Sequence, residues 1–148
     1  DVRVTFAGDG PRMQEMRHLA EPYGNRVRFV GATDVTPLMA TADILVLMSD
    51  YEGLAMSVIE AMRAGLPVIA NRLPGLRDAV DDGRSGLLCE ATPQDLAAAV
   101  DRLRDPERRA EMGASARRDW ASRFTANAMT DRYEDVYEHA VAEQRTRS

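Results

Sequence analysis

The sequence predicts an α/β protein with a doubly wound parallel sheet, helices on both faces and a helical C-terminal tail. Three observations support this fold class. Short apolar strands alternate with helical patterns through brief links, which is typical of parallel sheets. The run DILVLMS (43–49) is almost continuously apolar, as expected of a strand buried on both faces. From Thr92 onward only helical patterns remain.

The first elements are predicted from spacing and capping residues. The opening run VRVTFAG predicts a buried strand that ends in a Gly-Asp-Gly turn. A helix is predicted over 12–22, and the alternating run RVRFVG (26–31) predicts a second strand. Asp34 or Thr36 is expected to cap a short helix through 38–42.

After the strand at 43–49, a helix is predicted from about Ser57 to Ala64, stopped by Gly65 and Pro67. The later predicted elements are the strand 67–70, the short helix 75–80, the strand 85–90 and three closing helices over 93–104, 106–124 and 126–143.

Composition narrows the class of protein. A length of 148 residues predicts one domain, 1–148, and a net charge of −5 without a basic patch argues against nucleic acid as a partner. All nineteen basic residues are arginine, which excludes lysine-dependent chemistry within this chain. No spacing of His, Cys or Asp indicates a metal site, and no cofactor is expected.

A single cysteine, Cys89, cannot form an internal disulfide and fits a reducing compartment. We therefore expect a cytoplasmic protein. For the full-length form, a peripheral association with the inner face of the membrane is left open. Because the chain opens at Asp1 inside a strand pattern, without an initiator methionine, we expect a fragment of a longer protein.

Four loops follow predicted strands, at the edge where doubly wound sheets bind ligands: 8–11, 31–34, 49–57 and 71–75. The third loop contains Glu52, and Glu60 follows eight residues later inside a predicted helix.

These two glutamates have structural and functional interpretations. Ser57 and Glu60 fit the S-x-x-E capping box, which local evidence favours for Glu60, whereas Glu52 fits a solvated loop residue. In the functional interpretation, the amides of Gly53 to Ser57 lead into a helix N-terminus that suits a phosphate. Glu52 would then accept hydrogen bonds from a sugar and Glu60 from a ribose, since carboxylates are strong acceptors. The implied ligand is a nucleotide-diphosphate sugar.

The segment SDYEGLAMSVIEAMRAGLPVIA (49–70) resembles the E-x7-E segment of the retaining glycosyltransferase family 4, which has the GT-B fold. Further runs resemble the same family in the same order: FAGDGP, NRVRFVGATDVTPLMATADILVLMS, the stretch from LPGLRDAV to GASAR, and RFTANAMTDRYEDVYEHA. The resemblance spans nearly the whole chain.

The resemblance implies that the chain is the C-terminal, donor-binding one of two Rossmann-like domains, with the N-terminal acceptor domain absent. Glu52 would hold the hydroxyls of the donor sugar near its anomeric carbon, and Glu60 would hold the ribose. The backbone of the intervening loop would approach the sugar and diphosphate. The remaining implied donor contacts are Gly8, Gly10, Val30, Gly31, Gly53, Leu54, Ala55, Met56 and Ser57.

The resemblance implies transfer with retention and without a metal. It also implies a UDP- or GDP-sugar as the donor, and the sequence leaves the choice between uridine, guanosine and adenosine diphosphates open. Two departures stand out. Leu54-Ala55 replaces the usual Phe-Gly, and the family's diphosphate-gripping Arg and Lys would precede Asp1. The isolated chain is therefore expected to bind nucleotide weakly and to transfer nothing.

Two alternatives to a transferase remain: a nucleotide-sugar epimerase of the same fold, and a non-catalytic nucleotide-binding regulatory module. An epimerase would need added acid and base groups, and a regulatory module would not need both glutamates.

The last helix carries an apolar stripe through which the chain is expected to self-associate: Met129, Tyr133, Val136, Tyr137 and Ala140.

Overall fold

A computed structural model of the chain describes residues 2–146. The strands form two parallel sheets in two compact units, the first ending at Leu38 and the second beginning at Met39. The predicted α/β class with parallel sheets and a helical C-terminal part is confirmed.

The first unit contains β1 (Val4–Ala7), α1 (Met13–Ala20), a 3-10 segment (Glu21–Arg26) and β2 (Val27–Gly31). The second contains β3 (Leu45–Leu47), α3 (Met56–Ala64), β4 (Val68–Asn71), α4 (Pro74–Ala79), β5 (Gly86–Cys89), α5 (Pro93–Arg102), α6 (Pro106–Arg123) and α7 (Ala126–Thr146), and α2 (Thr36–Met39) spans the boundary.

In the first unit, β1 and β2 pair in parallel and stack the rings of Phe6 and Phe29 with centroids 4.9 Å apart. All four residues of β1 are exposed, so the prediction of a buried strand is wrong here, because a sheet of only two strands covers little of its own surface. The helix predicted over 12–22 ends earlier, at Ala20, and the 3-10 segment was not predicted. Pro22 lacks the N–H that would continue an α-helical ladder, and Gly24 turns the chain at a φ of 55°.

The sheet of the second unit has the order β3-β4-β5, all parallel. The strand predicted over 43–49 is shorter in the structure, and Val46 in its middle is 43% exposed. The prediction that this strand is buried on both faces is therefore wrong, because β3 lies at the edge of the sheet. Every residue of β4 is buried. Because successive strand side chains point to opposite faces, both faces of this strand are covered by other elements. One face packs in a core cluster that joins the sheet to α5 and α6: Ile69, Leu87, Ala99, Leu103 and Met112.

Helix ends follow their local signals. Gly65 ends α3 in the left-handed conformation with a φ of 77°, as predicted. Asp34, of the two candidate caps, accepts a 2.9 Å hydrogen bond from the Thr36 amide at the start of α2. Among residues 2–146, no helix is both long and apolar enough to cross a membrane.

Candidate functional site

The loop between β3 and α3 lies at the carboxyl edge of the second unit's sheet. Its first polar residue, Ser49, is tied to the end of β4 by the buried side chain of Asn71. The Ser49 amide donates to Asn71 Oδ1 at 3.1 Å, and Asn71 Nδ2 donates to the Ser49 carbonyl at 2.6 Å. The Asn71 side chain thus holds the loop where the backbone pairing of β3 and β4 has ended.

Glu52 is half-buried in this loop and is oriented by Ser49. The Ser49 hydroxyl donates to Glu52 Oε1 at 3.0 Å. No other hydrogen bond or ion pair to the Glu52 carboxylate occurs among the described residues. Oε2 is therefore available to accept hydrogen bonds from a ligand.

The backbone after Glu52 is pressed against the start of α4. A Cβ added at Gly75 would lie 1.7 Å from the carbonyl oxygen of Gly53 and 3.2 Å from that of Glu52. Only a glycine fits at this point, because a backbone carbonyl cannot rotate away as a side chain can. The loop is thus fixed from one side by Asn71 and from the other by Gly75.

Helix α3 begins at Met56, and its N-cap is Ala55 without a side-chain capping hydrogen bond. The capping box predicted from Ser57 and Glu60 is therefore wrong, because both residues lie inside the helix. Ala55 adopts φ −70° and ψ 110°, an ordinary extended conformation, so an alanine in place of the glycine that the resemblance implies introduces no backbone strain.

The open end of α3 has two kinds of unpaired polar group. Within residues 2–146, the amides of Ala55, Met56 and Ser57 have no hydrogen-bond partner, since the Ala55 carbonyl first receives Val58. These N–H groups and the helix dipole favour an anion at this end. Glu60 is exposed one turn further on, and nothing in the described part of the chain pairs with its carboxylate.

Leu54 and Met56 are exposed by 56% and 63%, whereas Ala55 is buried. These two apolar side chains thus flank the Ala55 amide and face solvent. They add an exposed apolar surface beside the polar residues of the loop.

The remaining predicted residues lie in the first unit, at the carboxyl ends of β1 and β2. Gly8, with a φ of 128°, donates its amide to the Gly31 carbonyl at 2.8 Å. Val30 precedes Gly31 in β2, and the Gly10 amide donates to Asp9 Oδ1 at 2.8 Å. A Cβ at Gly8, Gly10 or Gly31 would meet no atom within 4 Å. The sequence-predicted residues therefore form two groups, one at the carboxyl edge of each sheet.

Sequence reasoning missed the supporting roles of Ser49, Asn71 and Gly75. Asn71 carried a signal, since it is a polar residue that directly follows the apolar run PVIA. Gly75 carried none, because only the folded structure shows which backbone comes against it.

Two further groups beside β5 have displaced pKa values. Partial burial alone would raise the pKa of Asp82, but hydrogen bonds from the Leu88 amide and from Arg72 outweigh it and hold that pKa below its usual value. Burial, followed by the nearby Asp95 carboxylate, raises the pKa of the Cys89 thiol. Within the described residues, no cluster of His, Cys, Asp and Glu could hold a metal ion.

Comparisons with known proteins identify the family and the fold of the chain. The family model described as glycosyl transferases group 1 matches residues 1–105. The chain is 31% identical to N-acetyl-alpha-D-glucosaminyl L-malate synthase of Bacillus anthracis, over 93% of this chain and 37% of that protein. It is 41% identical to D-inositol 3-phosphate glycosyltransferase 2 of Catenulispora acidiphila, over 97% of this chain and 36% of the relative.

A solved structure of Anabaena Alr3699/HepE in complex with UDP-glucose superposes with a TM-score of 0.82 at 26% identity, over 93% of this chain and 41% of that one. The chain thus spans less than half the length of the relatives that it matches.

Proposed function

The chain belongs to the group 1 glycosyltransferases, and on this premise we propose that it is the donor-binding domain of a retaining family 4 enzyme. The enzyme would transfer a sugar from a nucleotide-diphosphate sugar to an acceptor hydroxyl. One observation carries the proposal: the unpaired amides at the start of α3 lie in sequence between two carboxylates that keep free oxygens. Glu52 and Glu60 are the two acids of the E-x7-E segment.

Each part of the site has a separate task in this proposal. The amides of Ala55, Met56 and Ser57 receive the diphosphate, whose negative charge the helix N-terminus stabilises. A carboxylate would repel that group, so Glu52 and Glu60 face neutral hydroxyls instead. Glu52 accepts from the donor sugar and Glu60 from the ribose, and charge-assisted hydrogen bonds of this kind are about twice as strong as neutral ones.

The chemistry then depends on position rather than on a covalent nucleophile. Glu52 holds the sugar so that the acceptor hydroxyl approaches the face from which the diphosphate leaves, which gives retention. Fixing the reacting groups in this way supplies a large part of the rate. The acceptor would be held by a separate N-terminal domain of the longer protein, and the 148-residue chain alone would bind the donor without transferring its sugar.

The remaining predicted nucleotide contacts belong to the first unit, and we propose them for that unit by itself. Val30 and Gly31 would border the base, and Gly8 and Gly10 would allow the nucleotide to come close to the backbone, since the space where their side chains would stand is open. The UDP-glucose complex of the Anabaena neighbour makes UDP-glucose the first donor to test, with a GDP-sugar as the alternative.

The proposal predicts that Glu52 and Glu60 affect the affinities for UDP and UDP-glucose differently, which calorimetry can measure. Glu60→Ala should weaken both ligands about tenfold, because loss of a hydrogen bond to a charged group costs roughly 1.5 kcal/mol. Glu52→Ala should weaken UDP-glucose by a similar factor and leave UDP unchanged. Glu107→Ala, which removes a first-turn acid from α6, is the matched control. Equal effects of the two glutamate variants on both ligands would refute the assignment.

We further propose that the chain self-associates through the apolar stripe of α7. Its stripe is exposed as predicted, and the rings of Tyr133 and Tyr137 stack on it with centroids 6.3 Å apart. The chain should therefore self-associate, and Tyr137→Ser should reduce the mass measured by light scattering at high concentration. Tyr51→Ser, at an exposed tyrosine outside the stripe, is the control. A monomer at every concentration would contradict self-association.

A further inference from the structure

The carboxylate of Glu52 stands at the end of a chain of side-chain contacts that starts in the sheet. Asn71 is the last residue of β4, and its backbone pairs with Cys89 of β5. Its side chain points the other way along the edge, to Ser49, and is only 6% exposed. Ser49 in turn donates its hydroxyl to Glu52.

Both atoms of the Asn71 amide are used by the same residue. Oδ1 accepts from the Ser49 amide, and Nδ2 donates to the Ser49 carbonyl. A side-chain amide presents one acceptor group and one donor group side by side, which matches the N–H and C=O of a single backbone residue. Aspartate has the same shape but would place an oxygen against the Ser49 carbonyl, and leucine would offer neither group.

The hydrogen bond from the Ser49 hydroxyl also restricts the conformation of the Glu52 side chain. The Ser49 hydroxyl has one proton, and it goes to Oε1, so one carboxylate oxygen is held while the other stays open. Without the hydroxyl, the side chain would sample several rotamers, and ordering it on ligand binding would cost free energy.

We propose that Ser49 and Asn71 are positioning residues that preset the Glu52 carboxylate for the sugar of the donor. Asn71 fixes the loop backbone to the sheet, and the Ser49 hydroxyl fixes the carboxylate to the loop. The role in sugar binding rests on the proposed function, whereas the orientation of Glu52 is a property of the free protein.

The first test needs no ligand. NMR three-bond couplings report whether the χ1 angle of Glu52 occupies one rotamer in the 148-residue chain. They should show a single rotamer in the unmodified chain and rotamer averaging in Ser49→Ala, with Ser49→Thr restoring the single rotamer because it keeps the hydroxyl. Averaging already present in the unmodified chain, or unchanged couplings in Ser49→Ala, would overturn the inference.

The second test is a double-mutant cycle with UDP-glucose and UDP as probes. Ser49→Ala should weaken UDP-glucose about three- to tenfold, the effect of one lost hydrogen bond, and leave UDP unchanged. In a Glu52→Ala background the same substitution should have no further effect. Equal losses in both backgrounds would mean that Ser49 acts on general structure and would overturn the positioning role.

Asn71→Leu and Asn71→Asp extend the cycle, and the Ser49 variants decide the question if the buried position does not tolerate either change. Failure of the proposed function and failure of the positioning role give different results. If neither nucleotide binds the unmodified chain, the proposed function fails while the rotamer measurement still decides the orientation of Glu52. If both bind and the cycle is additive, only the positioning role fails.

Discussion

The contact between Gly75 and the Glu52 loop gives a prediction in which two effects oppose each other. Gly75 lies in the first turn of α4, where helix propensity alone would make Gly75→Ala stabilising by up to about 1 kcal/mol. The new Cβ would stand 1.7 Å from the Gly53 carbonyl oxygen, and real Cβ atoms essentially never approach closer than 3.0 Å, so the loop and helix must separate by about 1.3 Å.

The steric effect should dominate. Overpacking costs roughly 1–3 kcal/mol. The upper end applies because neither the Cβ at position 75 nor the Gly53 carbonyl oxygen can move away through a change of rotamer. A net loss of about 2 kcal/mol corresponds to a fall in Tm of about 6 °C for a chain of this size. The displaced loop should also weaken UDP-glucose binding, because an error of about 1 Å in a site can cost a hundredfold in activity.

Differential scanning calorimetry of Gly75→Ala and Gly53→Ala checks this reasoning. Gly53→Ala adds the same methyl group to the same loop, at a position where a Cβ meets no atom within 4 Å, and should leave the Tm nearly unchanged. A Tm for Gly75→Ala equal to or above that of the unmodified chain would refute the argument from packing.

Three further predictions concern charge and reactivity. Arg84 donates to both carboxylate oxygens of Asp119, at 2.9 and 2.8 Å, and Asp119 is only 7% exposed. Arg84→Ala should therefore lower the free energy of unfolding in urea by roughly 1–3 kcal/mol, and adding Asp119→Ala should recover most of that loss. An unchanged midpoint of urea unfolding in Arg84→Ala would contradict this. The folded-state pKa of Asp82 is lowered, so its contribution to the free energy of unfolding is present above the unfolded-state pKa of about 4 and is lost as the pH falls through the folded-state pKa. Asp82→Asn should therefore make stability depend less steeply on pH in the acid range. An unaltered dependence of stability on pH would contradict this. Cys89 is half-buried with a raised pKa, so iodoacetamide at pH 8 should alkylate it more slowly than it alkylates glutathione, whereas an equal rate would show an accessible thiolate.

The fold class followed from the sequence because it depends on patterns that single residues do not disturb. β4 was predictable from PVIA, a short apolar run between a Gly-Leu-Pro break and a polar residue, and the structure buries all four of its residues. The end of α3 at Gly65 was equally clear, since only glycine adopts its φ of 77° without strain.

Local patterns failed where a neighbour in space decided the outcome. SVIE has the letters of a capping box, yet α3 begins at Met56. The preceding loop is held by Asn71 and pressed against Gly75, which lie 22 or more residues from Ser49 and outside any local window. Sequence spacing also could not show that Ser49 would be the residue that orients Glu52.

The most direct test of the donor site is an NMR titration of the 148-residue chain with UDP, GDP and ADP, followed through the backbone amides. We expect one nucleotide to shift the amides of residues 52–60 in the second unit, with the largest changes at Ala55, Met56 and Ser57, and Glu60→Ala to weaken that binding. Amides of this segment that remain unshifted at millimolar concentrations of all three nucleotides would contradict the assignment of the loop and α3 as the donor site.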